Sequence, residues 1–139
     1  MIQSPFAYFG IFGTLLVSLV ILASSLRYRG KNAERFSPIN HFISELGEVG
    51  VSSAASLFNV GFIIGGLLLL PYMVGLGLRF NSLLGWLGAV VGIVASLGVS
   101  AIGIFPMNDL TTHGHAAMIF FRAGLIMVFL FALAILFQP

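Results

Sequence analysis

Residues 83–105 read LLGWLGAVVGIVASLGVSAIGIF, an apolar stretch without a single ionisable side chain. A helix rises about 1.5 Å per residue, so this stretch is long enough to cross the roughly 30 Å hydrocarbon core of a bilayer. Stretches of similar character and length occupy residues 6–26, 57–76 and 116–137. The sequence therefore predicts an all-α fold, a polytopic bundle of four transmembrane helices in a single membrane domain.

The composition agrees with a membrane location. The 139 residues are 59% hydrophobic and only 7% charged, whereas a soluble domain is about 25% charged. A water-soluble fold is excluded, and four spans leave only short connections, with no room for a separate soluble module. The chain contains no cysteine, so disulfides, thiolate metal sites and thiol nucleophiles are excluded as well.

The distribution of basic residues predicts the orientation. Four of the six lie in the first connection, namely Arg27, Arg29, Lys31 and Arg35. Lys and Arg concentrate in cytoplasmic loops, so this connection is expected in the cytoplasm, in contact with lipid head groups rather than nucleic acid. Alternation then places Arg79 outside, residues 106–115 inside and both termini outside. Because these basic residues follow the first span and none precedes it, that span reads as a retained anchor rather than a cleavable signal.

A short interfacial helix is predicted at residues 38–46, between the basic residues and the second span. Ser37 can cap its start, with Pro38 as the first helical residue, and Gly47 can end it. Its apolar face would be formed by Ile39, Phe42, Ile43 and Leu46. A helix of this kind lies at the level of the lipid head groups.

Small residues recur at four-residue spacing in two of the spans. They are Gly88, Gly92, Ser96 and Ser100 in the third span and Gly61 and Gly65 in the second. Small side chains let helix backbones approach closely, which is how helices associate in lipid. We expect these residues to pack helices of this chain together, with a homodimer contact as the alternative.

Polar residues collect on the predicted cytoplasmic side and form the candidate binding cluster. Its members are His41, Glu45, Glu48, Asn59, Asp109, His113, His115 and Arg122. Arg122 is about 10 Å deeper than His115, and a charge at that depth needs a carboxylate partner or a wet cavity. Glu45 is the preferred partner and Asp109 the second. The alternative is that Arg122 snorkels to the interface without a partner.

The histidines of this cluster raise the question of a metal site. His113, His115, His41 and Asp109 are the candidate ligands, because imidazole and carboxylate groups bind zinc. A His-x-His in a polar segment is more often a head-group contact, a helix cap or a pH-sensitive hydrogen-bonding group. Haem held by His41 and His115 is less favoured still, since neither lies deep in a span. We therefore expect no cofactor, with a metal ion as the alternative.

Four short motifs resemble those of the DUF998 family of prokaryotic integral membrane proteins. They are ISELG at 43–47, FNVG at 58–61, GIFP at 103–106 and HGH at 113–115. The resemblance implies a helical membrane bundle with more spans than the four found here, located in a prokaryotic cell membrane. It implies no reaction, because the family is defined without one.

The sequence favours a non-enzymatic accessory subunit, packed against other membrane subunits or a second copy through small residues and its 14 Phe. The alternative is a lipid-binding or lipid-modifying protein, in which Arg122 pairs with an anionic head group and a histidine acts as acid or base. Transport is disfavoured, since it uses broken helices and midplane charges. Gly-x-Ser-x-Gly and His-Glu-x-x-His motifs are absent from the sequence.

The orientation is testable because the chain lacks cysteine. Single cysteines introduced at Asn32 and Asn81 should face opposite sides of the membrane, with Asn32 in the cytoplasm. In intact cells, a membrane-impermeant maleimide should label Asn81→Cys, and it should label Asn32→Cys only after permeabilisation. Labelling of both from the same side would contradict the topology.

Overall fold

A computed structural model describes residues 5–137, which form four long helices and one short one. They are α1 (Pro5–Arg27), α2 (Ala55–Phe80), α3 (Leu83–Ile104), α4 (Leu110–Leu136) and, in the first connection, a 3₁₀ helix (Ile43–Gly47). Each long helix has the length and apolar composition to cross a membrane. The predicted all-α fold with four transmembrane helices is confirmed.

Two residues connect α2 to α3. Asn81 ends α2 in the left-handed conformation, with φ of 42°, and its N–H donates to the Gly77 carbonyl at 2.9 Å. Ser82 then begins α3, because its hydroxyl accepts the Gly85 N–H at 3.1 Å. Asn tolerates the left-handed conformation and Ser is a strong helix cap. The local chemistry therefore forces α2 and α3 into an antiparallel hairpin.

Extensive packing joins only successive helices in the described part of the chain: α1 with α2, α2 with α3 and α3 with α4. Helices α2 and α3 therefore form the centre of a row, with α1 and α4 at its two ends. The buried core lies near the first connection and combines Phe58 and Phe62 of α2 with Ile102 of α3. Helices α1 and α4 do not pack extensively on each other, which leaves a space between them on one face of the α2–α3 pair.

The small residues of α2 face α1. A methyl group at Gly61 or Gly65 would overlap the side chains of Val20 or Val17, respectively. Because both valines are β-branched and stiff at χ1, they cannot easily rotate away. These glycines allow α1 and α2 to approach within van der Waals contact.

The small residues of α3 face both of its neighbours. The Ser100 hydroxyl donates to the Ile63 carbonyl of α2 at 3.0 Å, and the Ser96 hydroxyl donates to the Gly92 carbonyl within α3 at 2.8 Å. Gly88 packs against an aromatic ring of α4. All six of the predicted packing residues are buried inside the single chain, so its own helices occupy the surfaces that a homodimer would otherwise use.

The segment predicted as one interfacial helix at 38–46 has a different structure. The Ser37 carbonyl closes a turn by accepting the N–H groups of Asn40 and His41. Phe42 is then extended, and only after it does the 3₁₀ helix begin at Ile43. The predicted apolar face also divides, since Leu46 is 0% exposed and Ile39 is 93% exposed. The extended residue breaks the helical periodicity on which the predicted face depended.

Helix α4 begins six residues before the predicted span. Asp109 caps it by accepting the Thr112 N–H at 3.2 Å. The sequence suggested that polar residues 106–115 form a connection, but the cap lets the helix include residues 110–115. His113 and His115 therefore belong to a helix, and their directions follow from helical geometry.

Gly103 offers a test of the α2–α3 contact. A methyl group there would overlap the backbone carbonyl of Asn59 and the backbone N–H region of Ile63. Backbone atoms cannot rotate away, so we expect Gly103→Ala to destabilise the fold by about 1–3 kcal/mol, the usual cost of overpacking. Thermal unfolding in detergent measures the effect.

Gly124 of α4 is the matched control, because no atom lies within 4 Å of the position that its Cβ would take. Gly124→Ala should leave the melting temperature unchanged or raise it slightly, since alanine is the better helix former. Equal effects of the two substitutions would contradict the close approach of α2 and α3.

Candidate functional site

Two connections on the same side of the membrane are joined by a pair of hydrogen bonds. The Val49 N–H donates to Oδ1 of Asn108 at 2.8 Å, and Nδ2 of Asn108 donates to the Val49 carbonyl at 2.9 Å. Residues 28–54 and 105–109 thus form one surface, which we name the loop face. Every predicted site residue except Arg122 lies on the loop face or within two helical turns of it.

A buried aromatic cluster organises the loop face. Tyr28 is 2% exposed, and its hydroxyl donates to Oε2 of Glu45 at 3.4 Å. The His41 ring stacks on Phe36 at 5.7 Å and meets the Tyr28 ring edge to face at 5.3 Å, measured between centroids. Burial raises the pKa of Tyr28, and the negative charges of Glu45 and Glu34 raise it further. Tyr28 therefore stays a neutral hydrogen-bond donor.

His41 is fixed by contacts from both ring nitrogens. The Ser37 N–H donates to Nδ1 at 3.0 Å, so the proton of the neutral ring is on Nε2, which lies 3.9 Å from a Glu34 oxygen. Hydrogen bonds from the backbone N–H groups of Glu34 itself and of Asn32 lower the pKa of Glu34. Glu34 thus remains ionised beside His41.

The predicted carboxylates are occupied by structural contacts. Glu45 accepts the Phe42 N–H through Oε1 at 2.8 Å, and this hydrogen bond caps the start of the 3₁₀ helix. Glu48 forms an ion pair with Lys31 at 3.3 Å. The Thr112 hydroxyl, followed by the Thr112 N–H, lowers the pKa of Asp109, so the cap of α4 is ionised at neutral pH. Each of these three groups therefore makes a structural contact at the loop face.

His113 and His115 point to different faces of α4. Successive helical residues are about 100° apart, so two residues separated by one intervening position diverge by about 200°. His113 is 6% exposed, and its Nδ1 donates to the Phe105 carbonyl at 2.8 Å. A carbonyl only accepts, so Nδ1 carries the proton and Nε2 of the neutral ring is an acceptor. His115 is exposed on the outer side.

This divergence removes the basis for the candidate metal site. Within residues 5–137, no group of three His, Asp or Glu side chains converges closely enough to hold a metal ion. His41 and Asp109 are each engaged by neighbouring backbone groups. Among the described residues, the candidate ligands therefore do not come together as a three-ligand zinc site.

Asn59 links α2 to the loop face. Its Nδ2 donates to the Gly47 carbonyl at 3.0 Å, and the residue is buried. The sequence suggested that Asn59 needs a partner inside the span, and that partner is the end of the 3₁₀ helix. A methyl group at Gly47 would overlap Asn59 and Phe58, so the two motifs ISELG and FNVG are in direct contact.

A groove of about 650 Å³ runs between α1 and α4 above the central helices. It reaches from the loop face, where His41, Ser44 and His113 line it, to Thr14 and Leu69. The remaining lining residues are Val17, Ser18, Ile21, Phe42, Ile43, Phe58, Phe62, Val99, Ile102, Ala117, Phe120 and Phe121. The groove thus combines apolar and aromatic walls with two imidazoles at one end.

Arg122 lies outside this groove, and the predicted pair with Glu45 is wrong. The side chain is exposed on the outer surface of α3 and α4, where it borders a shallow cavity of about 450 Å³ together with His115. The ion pairs among residues 5–137 are Lys31–Glu48 and His41–Glu34. This exposed position agrees with the alternative, in which Arg122 snorkels to the interface without a partner.

Sequence reasoning missed several residues of the loop face. Tyr28, Glu34 and Phe36 flank the basic residues but were not singled out, although an aromatic pair beside a membrane span is typical of an interface. Asn108 was also missed. No local signal indicates that its amide bonds to the other connection, because that contact joins positions 59 residues apart.

The family relationship covers nearly the whole chain. A family model described as "Protein of unknown function (DUF998)" matches residues 11–138. The chain therefore belongs to this family, as the four motifs suggested. Comparison with curated proteins gives no match, and comparison with solved structures gives none. The family description names no activity, so function has to be inferred from the site.

The separation of Arg122 from Glu45 can be tested by a double-mutant cycle. Because the two side chains share no contact, the stability losses of Arg122→Ala and Glu45→Ala should add in the double variant to within about 0.5 kcal/mol. Most of the total should come from Glu45→Ala, which frees the Phe42 N–H and the Tyr28 hydroxyl. Thermal unfolding of the three variants in detergent measures this. A double variant that loses markedly less stability than the sum of the two single losses would indicate that Arg122 and Glu45 do form an ion pair.

Proposed function

We propose that this DUF998 protein binds a single-chain amphiphile, or one acyl or isoprenoid chain of a membrane lipid, in the groove between α1 and α4. The observation that carries the proposal is the groove itself, with its apolar walls and its polar end at the loop face. Its volume of about 650 Å³ lies within the range of small-molecule sites, roughly 300–1,000 Å³.

The length of the groove supports a lipid chain. Along α2 it extends from Phe58 to Leu69, which corresponds to about 16 Å of helix. The hydrocarbon core is about 30 Å thick, so the groove spans about one leaflet. A chain entering sideways between α1 and α4 would lie along its own leaflet, with the head group at the loop face.

The same dimensions disfavour a helix of a partner protein. A transmembrane helix is about 10 Å across and 30 Å long, whereas the groove follows only about 16 Å of α2. Such a helix would also have to continue past Leu69 into the other leaflet, where the groove no longer extends. The groove is therefore better suited to a chain than to a partner helix. The accessory-subunit hypothesis, which concerns the outer faces of the bundle, stays a separate prediction.

The polar end supplies complementary hydrogen-bonding groups. His113 has its Nε2 lone pair available as an acceptor, because Nδ1 is bound to the Phe105 carbonyl. Ser44 provides a hydroxyl at the same end. A hydroxyl or protonated carboxyl at the head of the chain would donate to Nε2 of His113, and the Ser44 hydroxyl would exchange its weak bond to Sδ of Met107, at 3.5 Å, for a bond to the same head group. We assign these residues to binding rather than to a reaction.

The proposed location is a cell membrane with the loop face on the cytoplasmic side. The support is the excess of Lys and Arg in the first connection. The bound lipid would then come from the cytoplasmic leaflet.

A photoreactive fatty acid with a diazirine at the end of its chain tests this proposal in lipid vesicles. Cross-links should map to the deep end of the groove, around Thr14 and Leu69. Ser18→Phe and Ala117→Phe place a large ring in the groove, and we expect each to reduce labelling roughly tenfold, because overlap costs about 1–3 kcal/mol.

Val128→Phe is the matched control, since Val128 is exposed on α4 outside the groove lining. It should not change the labelling, and all three variants should unfold near the wild-type temperature. Labelling spread evenly over the lipid-facing surface, or unaffected by Ser18→Phe and Ala117→Phe, would contradict the proposal.

A further inference from the structure

We infer that Arg122 and His115 form a second site, on the outer surface of α3 and α4, that binds the phosphate group of an anionic phospholipid. The two side chains border the same shallow cavity of about 450 Å³. This site is separate from the groove between α1 and α4 and does not depend on the function proposed for it.

The first step is that Arg122 needs an anion from outside the chain. An exposed guanidinium within a membrane span is costly unless it is neutralised or hydrated. The chain has four carboxylates, and these are Glu34, Glu45, Glu48 and Asp109, each held in contacts at the loop face. A second copy of the chain carries the same four, so it brings no carboxylate at the depth of Arg122 either.

The second step concerns the direction of the side chain. Helical side chains lean toward the N-terminus of their own helix, and the N-terminus of α4 is at the loop face. Arg122 therefore leans toward the head groups on the loop side. His115 lies seven residues earlier, about two turns and 10 Å nearer the loop face, on the same side of α4.

The third step is the shape of the surface around the two residues. Val91 and Val94 of α3 form one wall of the cavity, and Met118 and Ile126 of α4 line the other. The apolar lining continues past Arg122 to Ile126, away from the loop face. A phospholipid fits this arrangement, with its phosphate between His115 and Arg122 and an acyl chain along Ile126. Guanidinium binds phosphate oxygens in a bidentate manner, which a neutral side chain cannot reproduce.

Photoreactive phosphatidylglycerol and photoreactive phosphatidylcholine with identical acyl chains test the inference in mixed-lipid nanodiscs. Cross-links are mapped by peptide, which separates this cavity from the basic first connection. In the wild-type chain, cross-linking at residues 91–94 and 118–126 should favour phosphatidylglycerol roughly tenfold, because the choline cation beside the phosphate of phosphatidylcholine repels Arg122 and the glycerol head group has no such cation. Arg122→Gln should abolish that preference, and Arg122→Lys should retain part of it.

Arg79→Gln is the matched control, because Arg79 is an exposed cation at the end of α2 that lies away from the loop face. It should leave the preference at this cavity unchanged. The groove variants Ser18→Phe and Ala117→Phe should leave it unchanged too, so failure of one site is distinguishable from failure of the other. Equal cross-linking of both lipids in the wild type would overturn the inference, because the site would then not distinguish an anionic phospholipid from a zwitterionic one. A preference that persists in Arg122→Gln would overturn it as well.

Discussion

The contact between α2 and α3 is the constraint on which the rest of the structure depends. In lipid, apolar side chains gain little by meeting each other, so association relies on close packing and on interhelical hydrogen bonds. Ser100 supplies such a bond to the Ile63 carbonyl, and Gly103 lets the Asn59 backbone approach at the loop side. The two-residue connection at 81–82 closes the other end. The pair is thereby fixed at both ends, and α1 and α4 are added to it.

This construction explains why a groove exists at all. Helix α1 packs on α2 through Gly61 and Gly65, and α4 packs on α3 through the ring beside Gly88. Since extensive packing joins only neighbours in the chain order among the described residues, nothing draws α1 and α4 together. The loop face then covers one end of the space between them, because Asn59 holds the Gly47 carbonyl in place. A row of helices with one covered end therefore leaves a groove that is open toward the bilayer.

The sequence predicted the spans well and the site only in part, for physical reasons. A span is a local property, since about 20 consecutive apolar residues suffice. The face on which a helical residue lies depends on where the helix starts and which neighbours it meets. Asp109 shows the difference: once it caps α4, His113 points into the groove and His115 points away. Arg122 follows His115 to the outer surface, so the residues of one predicted cluster lie on two different surfaces.

The loop segment illustrates the same limit. Ser37, Pro38 and Gly47 are good helix boundary residues, and the spacing of Ile39, Phe42 and Leu46 suits an amphipathic helix. The side chains nevertheless form stronger alternatives, because His41 accepts the Ser37 N–H and Glu45 accepts the Phe42 N–H. Such side-chain bonds compete with regular helix formation. They depend on tertiary neighbours such as Tyr28 and are not encoded in the local periodicity.

Specificity in the groove has to come from its polar end. A groove that opens sideways to a bilayer is filled by some hydrocarbon chain in any membrane, because empty apolar space forfeits dispersion contacts. The walls formed by Phe58, Phe62 and Phe120 therefore select for a chain but not for a particular lipid. The polar groups that line the groove at the loop face include Nε2 of His113 and the hydroxyl of Ser44, which donates only weakly to Sδ of Met107 at 3.5 Å. Discrimination between lipids thus depends on whether a head group can form hydrogen bonds with both the imidazole acceptor and the hydroxyl. A buried polar group left without a partner costs more free energy than its hydrogen bond would contribute.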